Sequence, residues 1–165
     1  MTERIETLVQ QVAELMIDRG YLLATTESCT GGWVSQCLTS VPGSSAWFDR
    51  GFVCYSNQAK QEMLGVLEET LESHGAVSEP VAAAMAEGAL RFSPADWTLS
   101  ITGVAGPDGG SPEKPVGMVC FAWASADSCE TQTCLFSGDR TSIREQAVYH
   151  ALSGLLMRAG RTLLA

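Results

Sequence analysis

The sequence predicts an α/β fold, a three-layer α/β/α sandwich built on a mixed β-sheet. Three observations lead there. Short apolar runs of strand length alternate with stretches whose apolar residues recur at helical spacing. Glycine and proline cluster at the joints between them. Late in the chain, two strand-like runs are separated only by a polar turn around Asp127, so that pair is an antiparallel hairpin and the sheet is mixed.

Taken in order, residues 3–19 place Ile5, Leu8, Val9, Val12, Leu15 and Met16 on one helical face and stop at Gly20. Tyr21-Leu22-Leu23-Ala24 reads as a buried strand. The following stretch, Thr25-Thr26-Glu27-Ser28-Cys29-Thr30-Gly31-Gly32, is a tight turn into a helix marked by Trp33, Val34, Cys37, Leu38 and Val41. Pro42-Gly43 is the turn signal of a loop over 41–45. Residues 48–55 form a second strand, and Ser56-Asn57 cap a short helix over 58–64. Another short helix, 67–73, is stopped by His74-Gly75. Ser78-Glu79-Pro80 opens a longer one, with Val81, Met85, Ala89 and Leu90 on its apolar face. Residues 97–102 are a third strand running into a segment rich in glycine and proline, 103–117. The hairpin occupies 116–124 and 131–137, and a terminal helix begins around Arg140 and reaches residue 158. No repeat, low-complexity tract or linker interrupts this order, so residues 1–165 are expected to be one domain.

Composition narrows the function. With 165 residues, 45% of them hydrophobic and 18% charged, the chain can bury a full core and is not disordered. A net charge of −9 and the lack of any basic run argue against nucleic acid as a partner. No segment is long and apolar enough for a membrane span, and Met1-Thr2-Glu3-Arg4 does not begin a signal peptide; the expected location is cytoplasmic. Six cysteines without a C-x-x-C pair, and only two histidines, point to free thiols rather than disulfides or a zinc site.

The chemistry gathers around Ser28. A serine in a strand-to-helix turn, close to the N-cap, sits where backbone N–H groups and the helix dipole can hold a phosphate or a developing oxyanion. The plainer alternative is a cap and nothing more. Lys60 is one of two lysines, with Lys114, and follows Tyr55 by five residues. In a parallel α/β unit ligands collect at the carboxyl ends of strands, where both the Ser28 turn and the Tyr55/Lys60 segment belong. If their strands are neighbours, Ser28, Lys60 and Tyr55 form a Ser–Lys arrangement with an auxiliary tyrosine. A free lysine, with a pKa of ~10.4, is no base at neutral pH, but burial disfavours its charge. Alternatives stand beside each residue. Lys60 can be a solvated lysine, and Tyr55 a strand-end core residue. Cys29 is a rival nucleophile if the fold delivers His74 or His150, and otherwise a small buried thiol. Glu27 is a base or simply a carboxylate near a helix start.

The 103–117 segment is neither a P-loop nor a dinucleotide fingerprint, yet a long glycine-rich loop at a strand end is usually functional. Its N–H groups and Lys114 are candidate donors for an anion. Arg140 is another, with a salt bridge to Asp139 as the alternative.

Several segments together carry a resemblance: Thr26-Glu27-Ser28-Cys29-Thr30-Gly31-Gly32, Pro42-Gly43-Ser44-Ser45-Ala46-Trp47-Phe48 and Gly51-Phe52-Val53-Cys54-Tyr55-Ser56-Asn57. His74-Gly75-Ala76-Val77-Ser78, Thr102-Gly103-Val104-Ala105-Gly106-Pro107-Asp108-Gly109-Gly110 and Lys114-Pro115-Val116-Gly117 complete it. Over nearly the whole chain the sequence resembles the CinA C-terminal domain family, the nicotinamide-nucleotide amidohydrolases of bacteria. The resemblance implies hydrolysis of the carboxamide of nicotinamide mononucleotide to nicotinic acid mononucleotide and ammonia, in pyridine nucleotide recycling, with no metal or other cofactor. The family's serine, lysine and tyrosine fall on Ser28, Lys60 and Tyr55. N–H groups around Thr30, Gly31 and Gly32 would then hold the oxyanion, and Ser44, Ser45 and Thr102 would line the pocket. The glycine-rich loop, with Gly103 and Gly106, and Arg140 would hold the phosphate. The expected partners are the nucleotide substrate and further copies of the chain, a dimer or larger. The extra N-terminal domain of fuller CinA proteins has no counterpart here, which implies the stand-alone form. Two competitors remain: a catalytically silent nucleotide-binding module linked to competence or DNA damage, and a cysteine hydrolase using Cys29.

Overall fold

The computed structural model describes residues 2–161. The first helix, α1 (Glu3–Arg19), buries Ile5, Leu8, Val9, Val12 and Met16. It ends where Gly20 adopts a left-handed φ of 63° and donates back to Ile17 and Met16. β1 (Leu23–Glu27) and β2 (Phe48–Val53) follow, separated by α2 (Trp33–Thr39) and a 3-10 turn, Ser44–Ala46. Three helices come next: α3 (Asn57–Leu64), α4 (Glu68–His74) and α5 (Glu79–Arg91). The Ser56 and Ser78 hydroxyls cap α3 and α5, accepting from the Ala59 and Val81 amides. β3 (Trp97–Gly103), the hairpin β4 (Met118–Ser125) and β5 (Cys129–Leu135), and α6 (Arg140–Arg161) complete the order.

The five strands form one sheet in the order β2-β1-β3-β4-β5. β2 and β3 flank β1 in parallel, β4 is antiparallel to β3, and β5 to β4. The mixed sheet expected from the late hairpin is what forms. On one face α1, α2 and α6 close a large core with Leu23, Leu99, Ile101, Phe121 and Trp123. On the other, α3, α4 and α5 gather around Leu64, Leu71, Val81 and Met85, while Ala82 and Ala86 of α5 lie on Cys120, Ala122 and Ala124 of β4. Each large side chain so buried contributes roughly 1.5–3 kcal/mol.

β3 shows how polar residues enter this core. Leu99 and Ile101 point to the α6 side, and the alternate positions point to α5. There the hydroxyls of Thr98, Ser100 and Thr102 donate to the carbonyls of Ala86, Ala82 and Ala76 at 2.8, 2.6 and 2.7 Å. Small residues on α5 allow that approach. Gly88 does the same for α3 on another side of α5, since a Cβ there would meet the Leu64 carbonyl oxygen at 2.2 Å.

One boundary differs from expectation. The strand placed at 21–24 begins two residues later and continues through Thr25, Thr26 and Glu27, all fully buried. Polarity suggested a turn. The residues stay in the strand because two of them have partners on α2: Thr25 Oγ1 meets Ser35 Oγ at 2.7 Å, and Glu27 binds the helix start. Gly51 on β2 makes room, since a Cβ there would lie 2.2 Å from Ser35 Oγ. The parallel register places the carboxyl ends of β1, β2 and β3 at one end of the sheet, with Ser28, Cys54 and Thr102 beside one another.

Candidate active site

Ser28 continues β1 by one residue, its amide donating to the Ile101 carbonyl at 2.9 Å. The chain then turns through residues 28–32, with the Gly31 amide donating to the Ser28 carbonyl at 3.0 Å. Gly31 and Gly32 have φ of 62° and 95°, values that favour glycine. The N-cap of α2 is Gly32, not a residue near Ser28. The donors expected to remain unpaired at this helix start are taken by Glu27: Oε2 accepts from the Gly32 and Val34 amides at 3.0 and 3.1 Å, and Oε1 from the Ser35 amide and hydroxyl at 2.8 Å each. A carboxylate complements the positive helix end better than a hydroxyl does, so Glu27 displaces serine from the capping role.

Lys60 reaches Ser28 from α3. Its side chain is 1% exposed. Nζ lies 3.3 Å from Ser28 Oγ and 3.1 Å from the Cys54 carbonyl oxygen. That carbonyl follows β2, where the Cys54 amide donates to the Glu27 carbonyl at 2.8 Å. No carboxylate forms an ion pair with Lys60 among the described residues. Burial pushes its pKa below the ordinary lysine value, and the Cys54 and Cys29 thiols oppose the shift only when ionised. Burial raises both thiols, Cys29 to about 12, so that opposition is slight near neutral pH.

A cleft of about 200 Å³ opens over this pair, walled by Tyr55, Asn57, Gly103 and Arg140. Tyr55 is 62% exposed, and its hydroxyl accepts from Arg140 Nη2 at 3.1 Å, so it stands at the rim. Arg140 Nη1 donates to the Gly106 carbonyl at 2.7 Å, which ties the glycine-rich loop to the start of α6. Asp139 is not its partner; that carboxylate caps α6 by accepting from the Ser142 amide at 2.8 Å. Thr102 borders the cleft, with its hydroxyl engaged by Ala76.

Other candidates lie elsewhere. Thr30, Gly31 and Gly32 border a separate hollow with Trp33 and Arg144. The Gly31 and Gly32 amides are already engaged, whereas those of Cys29 and Thr30 donate to no other residue among those described. Ser44 and Ser45 precede β2, at the end of the sheet opposite Ser28. Five strand residues at about 3.3 Å each separate the two ends. Lys114 Nζ donates to the His74 carbonyl. His150 contacts Cys134 Sγ at 3.4 Å and Gln132 at 3.1 Å, so its partners are on β5 rather than at Cys29. Sequence reasoning gave no site role to Asn57, to Arg144 or to the Cys54 carbonyl; a cap residue, a helix-face arginine and a main-chain atom carry no local motif.

Comparison with known proteins follows the same outline. The family model of the CinA C-terminal domain matches residues 5–159. The chain belongs to this family. Nicotinamide-nucleotide amidohydrolase PncC of Escherichia coli (strain K12) is 56% identical over 150 residues, 90% of each chain. A putative competence-damage inducible protein of Symbiobacterium thermophilum is 54% identical over 157 residues, 90% of this chain but 37% of that longer protein. Among solved structures, the competence/damage inducible protein CihA from Agrobacterium tumefaciens matches with a TM-score of 0.94 and 42% identity over 98% of both chains.

For a CinA C-terminal domain of this geometry the available chemistry is narrow. A buried amine beside a serine hydroxyl can exchange a proton with it. The described residues contain no group of three or more His, Cys, Asp or Glu side chains able to hold a metal, and no helix long and apolar enough to cross a membrane.

Proposed function

We infer that the chain is an amidohydrolase that removes the carboxamide nitrogen of nicotinamide mononucleotide, giving nicotinic acid mononucleotide and ammonia. The observation that carries this reading is the Lys60 amine, buried and 3.3 Å from Ser28 Oγ, in a chain 56% identical to the Escherichia coli protein named for that activity.

Neutral Lys60 takes the Ser28 proton as Oγ attacks the carboxamide carbon. The carbonyl electrons move to oxygen, and the Cys29 and Thr30 N–H groups are the donors available to that oxyanion. Collapse of the intermediate breaks the C–N bond, and the Lys60 ammonium returns the proton to departing ammonia. Water, deprotonated in turn by Lys60, attacks the acyl carbon; the C–Oγ bond breaks, the acid leaves, and the Lys60 ammonium returns the proton to Ser28 Oγ. Arg140 borders the cleft with Tyr55 and Gly106 as neighbours and is the cation assigned to the substrate phosphate in this reading. Tyr55 accepts from Arg140 and orients it, while the Lys60–Ser28 contact, with no residue between the two groups, favours direct proton transfer.

The test is incubation of purified protein with nicotinamide mononucleotide, following ammonia and the acid product. Stoichiometric release of both supports the reading. Folded protein that binds the nucleotide without turnover would instead favour the silent binding module. Dialysis against a chelator is expected to leave the rate unchanged, and restoration by one divalent ion would count against the Ser–Lys mechanism.

A further inference from the structure

α6 supplies a second arginine to this end of the molecule. Arg144 lies four residues beyond Arg140, one turn along the same side of the helix, but behind the 28–32 turn. Its Nε donates to the Cys29 carbonyl at 3.0 Å and its Nη2 to the Thr30 carbonyl at 2.8 Å. The guanidinium also stacks on Trp33, 5.2 Å from the ring centroid. One rigid, planar fork therefore fixes two successive peptide planes. A trans peptide points its N–H opposite to its C=O, and the cis bond among the described residues is at Gly106–Pro107, away from this turn. With the Cys29 carbonyl on Arg144, the Thr30 N–H must face the other way. The next peptide shows what lies there: the Thr30 carbonyl also faces Arg144, and the Gly31 N–H behind it reaches the Ser28 carbonyl. The Thr30 N–H therefore points away from Arg144, on the side where the Gly31 N–H meets the Ser28 carbonyl, and donates to no other described residue.

We propose that Arg144 is a positioning residue, which by clamping the Cys29 and Thr30 carbonyls aims the Thr30 N–H at the oxyanion formed when Ser28 attacks. The role rests on the amidase reading above. Arg144 does not line the Ser28 cleft; it borders the separate hollow with Trp33 and Gln36. Without it, the Thr30 carbonyl keeps the Trp33 amide as a donor, but the Cys29 carbonyl loses its one described donor, and the Thr30 N–H in the same peptide plane loses its orientation. A lysine in its place offers a point donor instead of a fork and would not restore it.

The experiment compares Arg144→Ala and Arg144→Lys with the parent on nicotinamide mononucleotide, with and without methylguanidinium at non-denaturing concentration. Arg144→Ala is expected to lower kcat by about 10- to 100-fold, less than outright loss of an oxyanion donor. KM should stay within about threefold, as befits an interaction realised in the transition state. Methylguanidinium should recover part of the lost kcat, and Arg144→Lys should resemble Arg144→Ala. An unchanged kcat, a loss confined to KM, or a loss that tracks the melting temperature without rescue would overturn the role. A second readout needs no turnover: the Thr30 amide resonance of substrate-free, 15N-labelled protein should move in Arg144→Ala and return with methylguanidinium. A resonance that stays in place overturns the proposal. An inactive parent protein would overturn the amidase reading instead, and the Thr30 resonance would still decide whether Arg144 sets that amide. Should Arg144→Ala fail to fold, Arg144→Gln replaces it in both measurements.

Discussion

Lys60 Nζ is held 3.1 Å from the Cys54 carbonyl, a contact that occupies one N–H and leaves the amine facing the Ser28 hydroxyl. A carbonyl tolerates either charge state of an amine, whereas a carboxylate would lock the ammonium. Burial therefore sets the direction toward the neutral form, and the carbonyl anchor holds the amine without locking it as the ammonium.

Lys60→Met is expected to lose activity by roughly 10²–10⁴-fold, the usual weight of a general base. Its stability at neutral pH should equal or exceed the parent's. The sign follows from linkage: a lysine whose folded pKa is depressed penalises the fold below that pKa, because the unfolded chain binds the proton more readily. The penalty fades as pH rises from the folded value toward the unfolded value near ~10.4. Urea midpoints across that window should rise for the parent relative to Lys60→Met. Parallel curves, or an active Lys60→Met, would remove Lys60 from the role of base.

Ser28→Ala should leave less than about a thousandth of the turnover, while nucleotide binding persists. Cys29→Ala should stay within a few-fold of the parent, because a thiol pushed up to about 12 has almost no thiolate at neutral pH. Progress curves for the two variants, with binding by calorimetry, make the comparison; reversed behaviour would transfer the nucleophile to Cys29.

Glu27→Gln keeps the side-chain shape but turns an amide NH2 toward hydrogen-bond donors. Glu27 is fully buried and accepts four hydrogen bonds, so the change should cost about 2–4 kcal/mol in urea unfolding. A loss below roughly 0.5 kcal/mol, the level of an ordinary surface substitution, would mean that α2 is capped by other means.

Arg140→Ala should raise KM for the nucleotide by roughly 10- to 100-fold, as loss of charge-assisted hydrogen bonds implies. Turnover of free nicotinamide, which has no phosphate, should change by less than about threefold. Equal damage to both substrates would make Arg140 a tie between the Gly106 loop and α6 rather than a phosphate ligand.

What could be read from the sequence was what local spacing encodes. The apolar periods of α1 and α5, the glycine stop at Gly20 and the β4–β5 hairpin all form as the pattern suggests. Polar residues misled where their partners were remote in sequence or on another element. Thr25 and Glu27 read as turn residues, yet Ser35 and the α2 amides hold them in a buried strand. Resemblance groups Ser44 and Ser45 with the pocket, but parallel pairing of β2 with β1 carries them to the end of the sheet opposite Ser28. Arg144 meets Thr30 across 114 residues, a contact made by the final helix folding back over the first turn.

The strand that ends at Ser28 is paired along both edges, with β2 on one side and β3 on the other, and is buried throughout. Amides in such a strand are released to solvent only when most of the molecule opens, whereas a sheet-edge strand such as β5 can fray alone. In hydrogen-exchange terms, the Thr26 and Ser28 amides should be among the slowest in the protein and those of β5 among the faster. The position of Ser28 is thereby coupled to global folding: partial opening at β5 leaves Ser28 where it is, and its placement fails only with the fold itself.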